Sequence, residues 1–238
     1  LVNADDARVI EIWNLVFIQF NRGNDSKLSP LPGKGVDTGM GLERVCRVLQ
    51  GVDSNYSTDL FTPLLKAISE ITGTQDAEGE IGVAYRVIAD HLRSLSFAIA
   101  DGAIPSNEGR GYVLRRMLRR ATRFGRVLGM ETPFIHKLVP TLAGVMGDAF
   151  PEIRQQQAHI SRVIESEEAN FGNTLDRGLE IFEQMVAQPA TISHKKLSGE
   201  DAFKLYDTYG FPVDLTRLIC EERQLELDEA GFEVCMEV

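Results

Sequence analysis

The chain has 238 residues, 43% of them hydrophobic, and a formal net charge of −10. This length and composition allow one large domain or two small ones with a buried core. No segment approaches the run of about 20 apolar residues that crosses a bilayer, and the start lacks the basic and apolar pattern of a signal peptide. The sequence therefore predicts no membrane partner and a cytoplasmic location.

The first predicted strand covers residues 9–21, where apolar side chains occupy both alternating faces. This pattern is typical of a strand covered on both sides within a sheet. The segment Asn24-Asp25-Ser26 and the prolines at 30 and 32 predict a turn. Residues 35–38 then start a second, antiparallel strand, and Leu42 to Leu49 is predicted as a helix.

From residue 85 onward the strongly periodic segments predict helices. Their ranges are Tyr85 to Ala100, Tyr112 to Leu128, Pro133 to Met146, Glu152 to Ala187 and Glu200 to Tyr206. The longest has apolar residues near a seven-residue repeat, which predicts pairing with another helix, and the end of the chain, from Ala230, indicates one more. The predicted class is α+β: the end of an antiparallel sheet in residues 1–73, then a mostly helical domain in residues 84–238.

The strand-to-helix joint carries the motif Gly39-Met40-Gly41-Leu42-Glu43-Arg44. Glycines allow a ligand to approach the backbone, and Arg44 offers a fixed positive charge to a phosphate. Asp37 is an anion suited to an ammonium group. Taken alone, the same pattern also fits a tight turn with a surface Glu-Arg pair.

A basic segment follows from Arg110 to Gly129, with seven arginines and no acid. Several of these arginines are four residues apart, so they share a helix face and repel one another unless an anion is present. The pattern favours binding of RNA phosphates, and the alternative is a solvated face whose arginine stems cover apolar surface. Three distant cysteines, Cys46, Cys220 and Cys235, form no metal-ligand spacing, so no metal is assigned to protein ligands.

These motifs together resemble the alanyl-tRNA synthetases, a class II aminoacyl-tRNA synthetase family. The resemblance rests on Glu11 to Arg22, Val36 to Arg44, Arg86 to Ser94, Ala100 to Glu108, Arg110 to Arg120 and Leu205 to Thr216. It implies an alanine-tRNA ligase that uses ATP with Mg²⁺ and charges the 3′ end of alanine tRNA. The family's other two class-defining motifs are expected before Leu1, and an editing domain with its zinc ligands is expected after Val238. The fragment alone is expected to be inactive.

The resemblance also implies site residues. Arg44 is the expected catalytic residue and binds ATP together with Gly41, while Asp37 holds the amino group of alanine, and Asn14, Val16 and Gly39 shape the pocket. The expected contacts to the tRNA acceptor stem are Arg110, Arg115, Arg116, Arg119 and Arg120, with Asn107 and Asp207 reading its G·U pair.

Two other functions remain open at this point. One is a class II synthetase-like ligase that activates an amino acid for a different acceptor, against which the basic helix and the Asn107 and Asp207 motifs argue. The other is a non-catalytic RNA-binding module, which would leave the set of Asp37, Gly39, Gly41 and Arg44 without a purpose. Charging of tRNA and ATP-pyrophosphate exchange by the parent protein would separate the three.

Overall fold

The structure is a computed structural model that describes residues 9–237, so the first eight residues and Val238 of the predicted ranges lie outside it. The chain divides into two compact units, one ending at Pro63 and the other beginning at Leu64. Among the described residues, no helix has the length and apolar character needed to cross a membrane.

The first unit is built on a β-hairpin. Strand β1 (Trp13–Arg22) pairs antiparallel with strand β2 (Leu28–Met40), and helix α1 (Leu42–Gln50) follows directly. The connecting turn is closed by the backbone N–H of Gly23, which donates to the carbonyl oxygen of Lys27 at 3.0 Å. The predicted order of two antiparallel strands and a helix is confirmed.

Two details of the hairpin differ from the prediction. The turn ends before the prolines: Pro30 lies within β2 opposite Phe20, and the register is irregular between Ile18 and Phe20. Proline has no N–H to donate, which explains why pairing is disturbed beside it. The expectation that both faces of β1 are covered is wrong for the described residues, because all ten of its side chains are exposed.

Helices make up most of the second unit. The helices from α2 onward are α2 (Thr62–Thr72), α3 (Glu80–Ala100), α4 (Gly109–Val127), α5 (Val139–Met146), α6 (Pro151–Gln155), α7 (Gln157–Val186), α8 (Pro189–His194), α9 (Gly199–Asp207), α10 (Val213–Glu222) and α11 (Glu229–Met236). A 3-10 turn covers Ile135–Leu138, and two short strands, β3 (Lys196–Leu197) and β4 (Glu226–Leu227), pair in parallel. The α+β class is confirmed.

The helix predictions are confirmed with two divisions. The segment predicted from Pro133 is a 3-10 turn followed by α5, and the segment predicted from Glu152 is interrupted at Gln156, whose φ of −100° and ψ of 9° separate α6 from α7. Helices α8 and α10 and the two short strands were not predicted. The short strands lack the alternating pattern that makes longer ones visible in a sequence.

Helix α7 packs against several other elements. It contacts α4, α5 and the 3-10 turn, and its first half buries Ile160 and Ile164. Its second half buries Phe171 and Phe182 in a cluster shared with residues of α9 and α10. The predicted pairing of this helix with another is therefore confirmed, and α7 is the element on which the C-terminal helices are positioned.

A buried carboxylate on α7 holds the start of the 3-10 turn. Glu168 is 3% exposed and accepts hydrogen bonds from the backbone N–H groups of Phe134 and Ile135 at 3.1–3.2 Å. Burial raises the pKa of Glu168 to about 7, against the lowering effect of these two N–H groups and of the Arg126 and Lys137 charges. The folded state therefore holds a proton on this group more tightly than the unfolded chain does.

This difference gives the stability of the chain a predicted pH dependence. Between pH values of about 4.5 and 7, the Glu168 term lowers the free energy of unfolding as pH rises, by about 3 kcal/mol in total. Glu168→Gln should remove this slope, because an amide does not titrate. Chemical unfolding of the chain at a series of pH values measures it. Glu180→Gln, at an exposed position on the same helix, is the control and should keep the slope.

Candidate active-site hairpin and arginine helix

The pairing register of the hairpin brings four predicted site residues onto one face. Asn14 lies opposite Gly39, and Val16 lies opposite Asp37. Residues directly opposite each other in an antiparallel pair point to the same side, and so do residues two apart on one strand. The four positions therefore form a contiguous patch, in which the Asp37 carboxylate is exposed.

Arg44 lies in the first turn of α1, at the end of β2. Its Nη1 donates to the carbonyl oxygen of Glu11 at 2.7 Å, and the side chain is exposed. A Cβ on Gly41 would come within 3.2–3.4 Å of the Arg44 stem, so glycine at this position lets the arginine fold back over the junction. At Gly39, by contrast, an added Cβ would meet no atom within 4 Å.

The hairpin thus presents an anion and a cation around an open backbone segment. Asp37 can pair with an ammonium group, and Arg44 can donate to a phosphate. Glu11 contributes two contacts that the sequence did not reveal. Its carboxylate accepts a hydrogen bond from Asn14 at 3.4 Å, and its backbone carbonyl oxygen accepts one from Arg44. Glu11 stands within the predicted strand and the family-like motif Glu11 to Arg22, but neither signal indicated these contacts.

The described residues form no metal site of their own. Within residues 9–237, no group of three or more His, Cys, Asp and Glu side chains could hold one. A magnesium ion that accompanies ATP is therefore assigned to no side chain among residues 9–237.

The arginines of α4 are mostly paired with acids from other helices. The pairs are Arg115 and Arg119 with Glu167, Arg116 with Asp214, Arg123 with Glu222, and Arg126 with Asp176. The expectation that these arginines repel one another for want of acids is therefore wrong for five of the seven. The acids lie on α7 and α10, far away in the sequence, so the local pattern does not show them.

The remaining two arginines, Arg110 and Arg120, are exposed, and neither forms an ion pair with a described residue. Arg116 is half-exposed although it contacts Asp214 at 2.9 Å. Arg119 is more buried: its guanidinium lies 4.7 Å from the centre of the Phe171 ring, and burial lowers its pKa while Glu167 raises it. Helix α4 thus has a solvent-facing set of arginines and an inward-facing set.

Asn107 lies in the loop before α4 and is exposed. The loop is closed by the N–H of Ser106, which donates to the carbonyl oxygen of Gly111 at 3.0 Å. The side-chain oxygen of Asn107 accepts a short hydrogen bond from Nη1 of Arg115. Asn107 is therefore connected through Arg115 to Glu167 on α7.

Asp207, the other predicted base reader, is the exposed last residue of α9. The segment that follows turns back on the helix, since the N–H of Phe211 donates to the carbonyl oxygen of Leu205 at 2.9 Å. Phe211 is fully buried against Gly178 of α7. Both predicted base readers are thus anchored, by different contacts, on the same long helix.

A cavity of about 390 Å³ lies between α4 and α10. Its lining includes Arg115, Arg116, Arg119 and Arg120 from α4, and Asp214, Arg217 and Glu221 from α10. His91 also lines it and contacts Asp90 at 3.4 Å, a hydrogen bond that is the main cause of the lowered pKa of Asp90. Since cations and anions share this cavity, its charge is partly balanced from within.

Comparison with known proteins agrees with this geometry. A family model described as class II (A) tRNA synthetases matches residues 1–238. The chain belongs to this family. It is also 57% identical to an alanine–tRNA ligase of Chlorobium phaeobacteroides over 99% of its length, 54% identical to one of Christiangramia forsetii over 98%, and 53% identical to one of Shewanella loihica over 98%. The chain spans about 27% of the length of these relatives.

The resemblance to alanyl-tRNA synthetases that the sequence motifs indicated is therefore confirmed. In this synthetase chain, sequence reasoning missed the carboxylates that organise α4, above all Glu167 and Glu222. Asp214 did stand within a family-like motif, Leu205 to Thr216, and that context was the only signal for it. The roles of the individual site residues remain predictions.

The ion pair of the buried Arg123 gives a test of the inward-facing set. Both guanidinium nitrogens Nη1 and Nη2 donate to the Glu222 carboxylate, and the arginine is 7% exposed. Arg123→Ala should lower the free energy of unfolding of the synthetase chain by about 1–3 kcal/mol, because it removes a buried arginine stem and its charge-assisted hydrogen bonds to Glu222. Arg120→Ala, at an exposed position of the same helix, should change it by less than about 0.5 kcal/mol. Equal losses in chemical unfolding would contradict this division of the arginines.

Proposed function

We propose that this chain is part of an alanine–tRNA ligase, which activates alanine with ATP and transfers it to the 3′ end of alanine tRNA. The observation that carries the proposal is the hairpin register, which gathers Asn14, Val16, Asp37 and Gly39 on one face. Its similarity to alanine–tRNA ligases supports the same activity. The proposed domains are the end of the aminoacylation core in residues 1–73 and an acceptor-stem domain in residues 84–238, in a cytoplasmic enzyme.

In this proposal the hairpin binds alanine by its charged end. The Asp37 carboxylate pairs with the ammonium group, and Asn14, Val16 and Gly39 limit the room beside the methyl side chain. A methyl group offers little contact energy, so selectivity must come from the ammonium contact and from steric exclusion of larger side chains. Such a pocket should admit glycine and discriminate only modestly against serine.

ATP is proposed to lie near the start of α1. Arg44 is the catalytic residue that contacts a terminal phosphate, and Gly41 allows its side chain to fold back over the junction. Activation joins the alanine carboxylate to the α-phosphate and releases pyrophosphate, and transfer to the tRNA then releases AMP. A fixed guanidinium is suited to this task because it stays charged and presents a planar fork of donors.

The second unit is proposed to bind the acceptor stem. Arg110, Arg116 and Arg120 are the exposed or half-exposed cations available to phosphates, while Arg115 and Arg119 support the surface from within. Asn107 and Asp207 are proposed to read the G·U pair in the shallow minor groove, where base edges of an RNA helix are accessible. Zinc is proposed only for an editing domain outside this chain.

The alanine site is tested by Asp37→Asn in the full-length parent enzyme. The variant should bind alanine about 10- to 100-fold more weakly, because a neutral amide loses the charge-assisted contact, whereas ATP should be little affected. The Michaelis constants for alanine and ATP in pyrophosphate exchange measure this difference. Asp25→Asn, at an exposed carboxylate in the turn of the same hairpin, should change neither constant. Equal changes in both constants for Asp37→Asn would refute the assignment.

The phosphate contacts are tested by salt dependence. Arg110→Ala and Arg120→Ala in the parent enzyme should each weaken binding of an acceptor-stem hairpin and flatten the plot of log affinity against log salt by about 0.7–0.9. Fluorescence anisotropy at several salt concentrations measures this slope. Arg154→Ala, which removes an exposed arginine of α6 paired with Asp148, is the control. An unchanged slope for both α4 variants would show that the phosphates bind elsewhere.

A further inference from the structure

The contact between Arg115 and Asn107 fixes which end of the Asn107 amide faces solvent. A guanidinium has five N–H donors and no acceptor, so the atom of Asn107 that meets Arg115 must be its carbonyl oxygen, as the structure has it. The amide NH₂ group of Asn107 is then the end left for another partner. Asn107 consequently offers a hydrogen-bond donor to its partner.

Arg115 is itself held by Glu167. Its Nη2 donates to Oε2 of the carboxylate at 3.1 Å, and its Nε lies 2.8 Å from Oε1. The Glu167 side chain is 11% exposed, and Nε of Arg119 lies 3.6 Å from the same Oε1. The largely buried Glu167 carboxylate, which Arg119 also contacts, therefore fixes the Arg115 side chain that orients Asn107.

Helix α7 gives this arrangement a rigid base. Ile164 and Phe171, one turn on either side of Glu167, are 0% and 2% exposed and belong to the apolar core of the helix. These anchors hold the helix backbone at Glu167 in place, and the two arginines hold its carboxylate. Glu167 is therefore preorganised, in the way that groups supporting a recognition residue need to be.

We propose that Glu167 is a positioning residue for reading of the acceptor stem: through Arg115 it holds the Asn107 amide with its NH₂ group towards the RNA. The proposal rests on the proposed role of Asn107 as a base reader. It assigns complementary chemistry to the two readers. The NH₂ of Asn107 donates to an acceptor in the minor groove, such as a pyrimidine O2 or a ribose hydroxyl, whereas the Asp207 carboxylate accepts from the amino group of guanine.

The experiment uses the full-length parent enzyme and two acceptor-stem hairpins that differ only in a G·U or G·C pair. Charging efficiency, kcat/KM, is measured for Glu167→Gln, Arg115→Lys, Asn107→Ala and the double variant Glu167→Gln/Asn107→Ala. Gln keeps the size of Glu167 but lacks its charge, and Lys keeps the charge of Arg115 but lacks the planar fork. Glu165→Gln removes a neighbouring carboxylate that contacts His136 instead, and it is the matched control.

Glu167→Gln should reduce the preference for G·U over G·C about tenfold, the effect expected for the loss of one well-placed hydrogen bond. Arg115→Lys should act in the same direction, and Glu165→Gln should have no effect. In the Asn107→Ala background, Glu167→Gln should cause no further loss of preference, because the residue it positions is gone. If Glu167 had a purely structural role, its substitution would lower the charging efficiency of both hairpins alike, and this loss would add to that caused by Asn107→Ala.

The outcomes separate this inference from the proposed function. If Asn107→Ala reduces the G·U preference but Glu167→Gln and Arg115→Lys do not, Asn107 reads the stem without this support and the inference is overturned. Additive effects in the double variant overturn it as well. If Asn107→Ala leaves the preference unchanged, both the base-reading role and the inference fail. Should Glu167→Gln not fold, the preference measured for Arg115→Lys decides.

Discussion

Ion pairs between the arginines of α4 and carboxylates of α7 and α10 are the interaction on which the helical unit depends. Glu167 on α7 holds two of these arginines, and Glu222 on α10 holds the most buried one, Arg123. These pairs connect α4 with α7 and α10, which are distant from it in the sequence. They also decide how α4 presents charge, because an arginine held by a buried carboxylate is not available as a free cation.

Two neighbouring carboxylates on α7 show how position on a helix determines role. Glu167 points to the arginines of α4, whereas Glu168 is buried and accepts two backbone N–H groups at the start of the 3-10 turn. Successive residues on an α-helix are about 100° apart, so adjacent acids necessarily face different surroundings. Burial raises the pKa of Glu168 to about 7, while Glu167, whose side chain is 11% exposed, acts as a partner for two arginines.

In the hairpin, the strand register determines which residues share a face. Opposite pairing of Asn14 with Gly39 and of Val16 with Asp37 turns two separate motifs into one surface. A shift of one residue would send either pair to the other face, so register matters as much as residue identity. The same hairpin leaves every side chain of β1 exposed, although the sequence pattern indicated cover on both sides. Apolar alternation reports what a strand is suited to contact, but it does not show which part of a protein supplies the contact.

The sequence by itself determined the class of the fold, the antiparallel strands, the main helices and the family, because these depend on local periodicity and on motifs read in order. It did not determine which arginines of the basic helix are paired with acids, or how the Asn107 amide is oriented. Arg115 and Glu167 are 52 residues apart, and Arg123 and Glu222 are 99 apart. No local pattern connects such residues, so only the packing of α4 against α7 and α10 decided which arginines are paired and which face solvent.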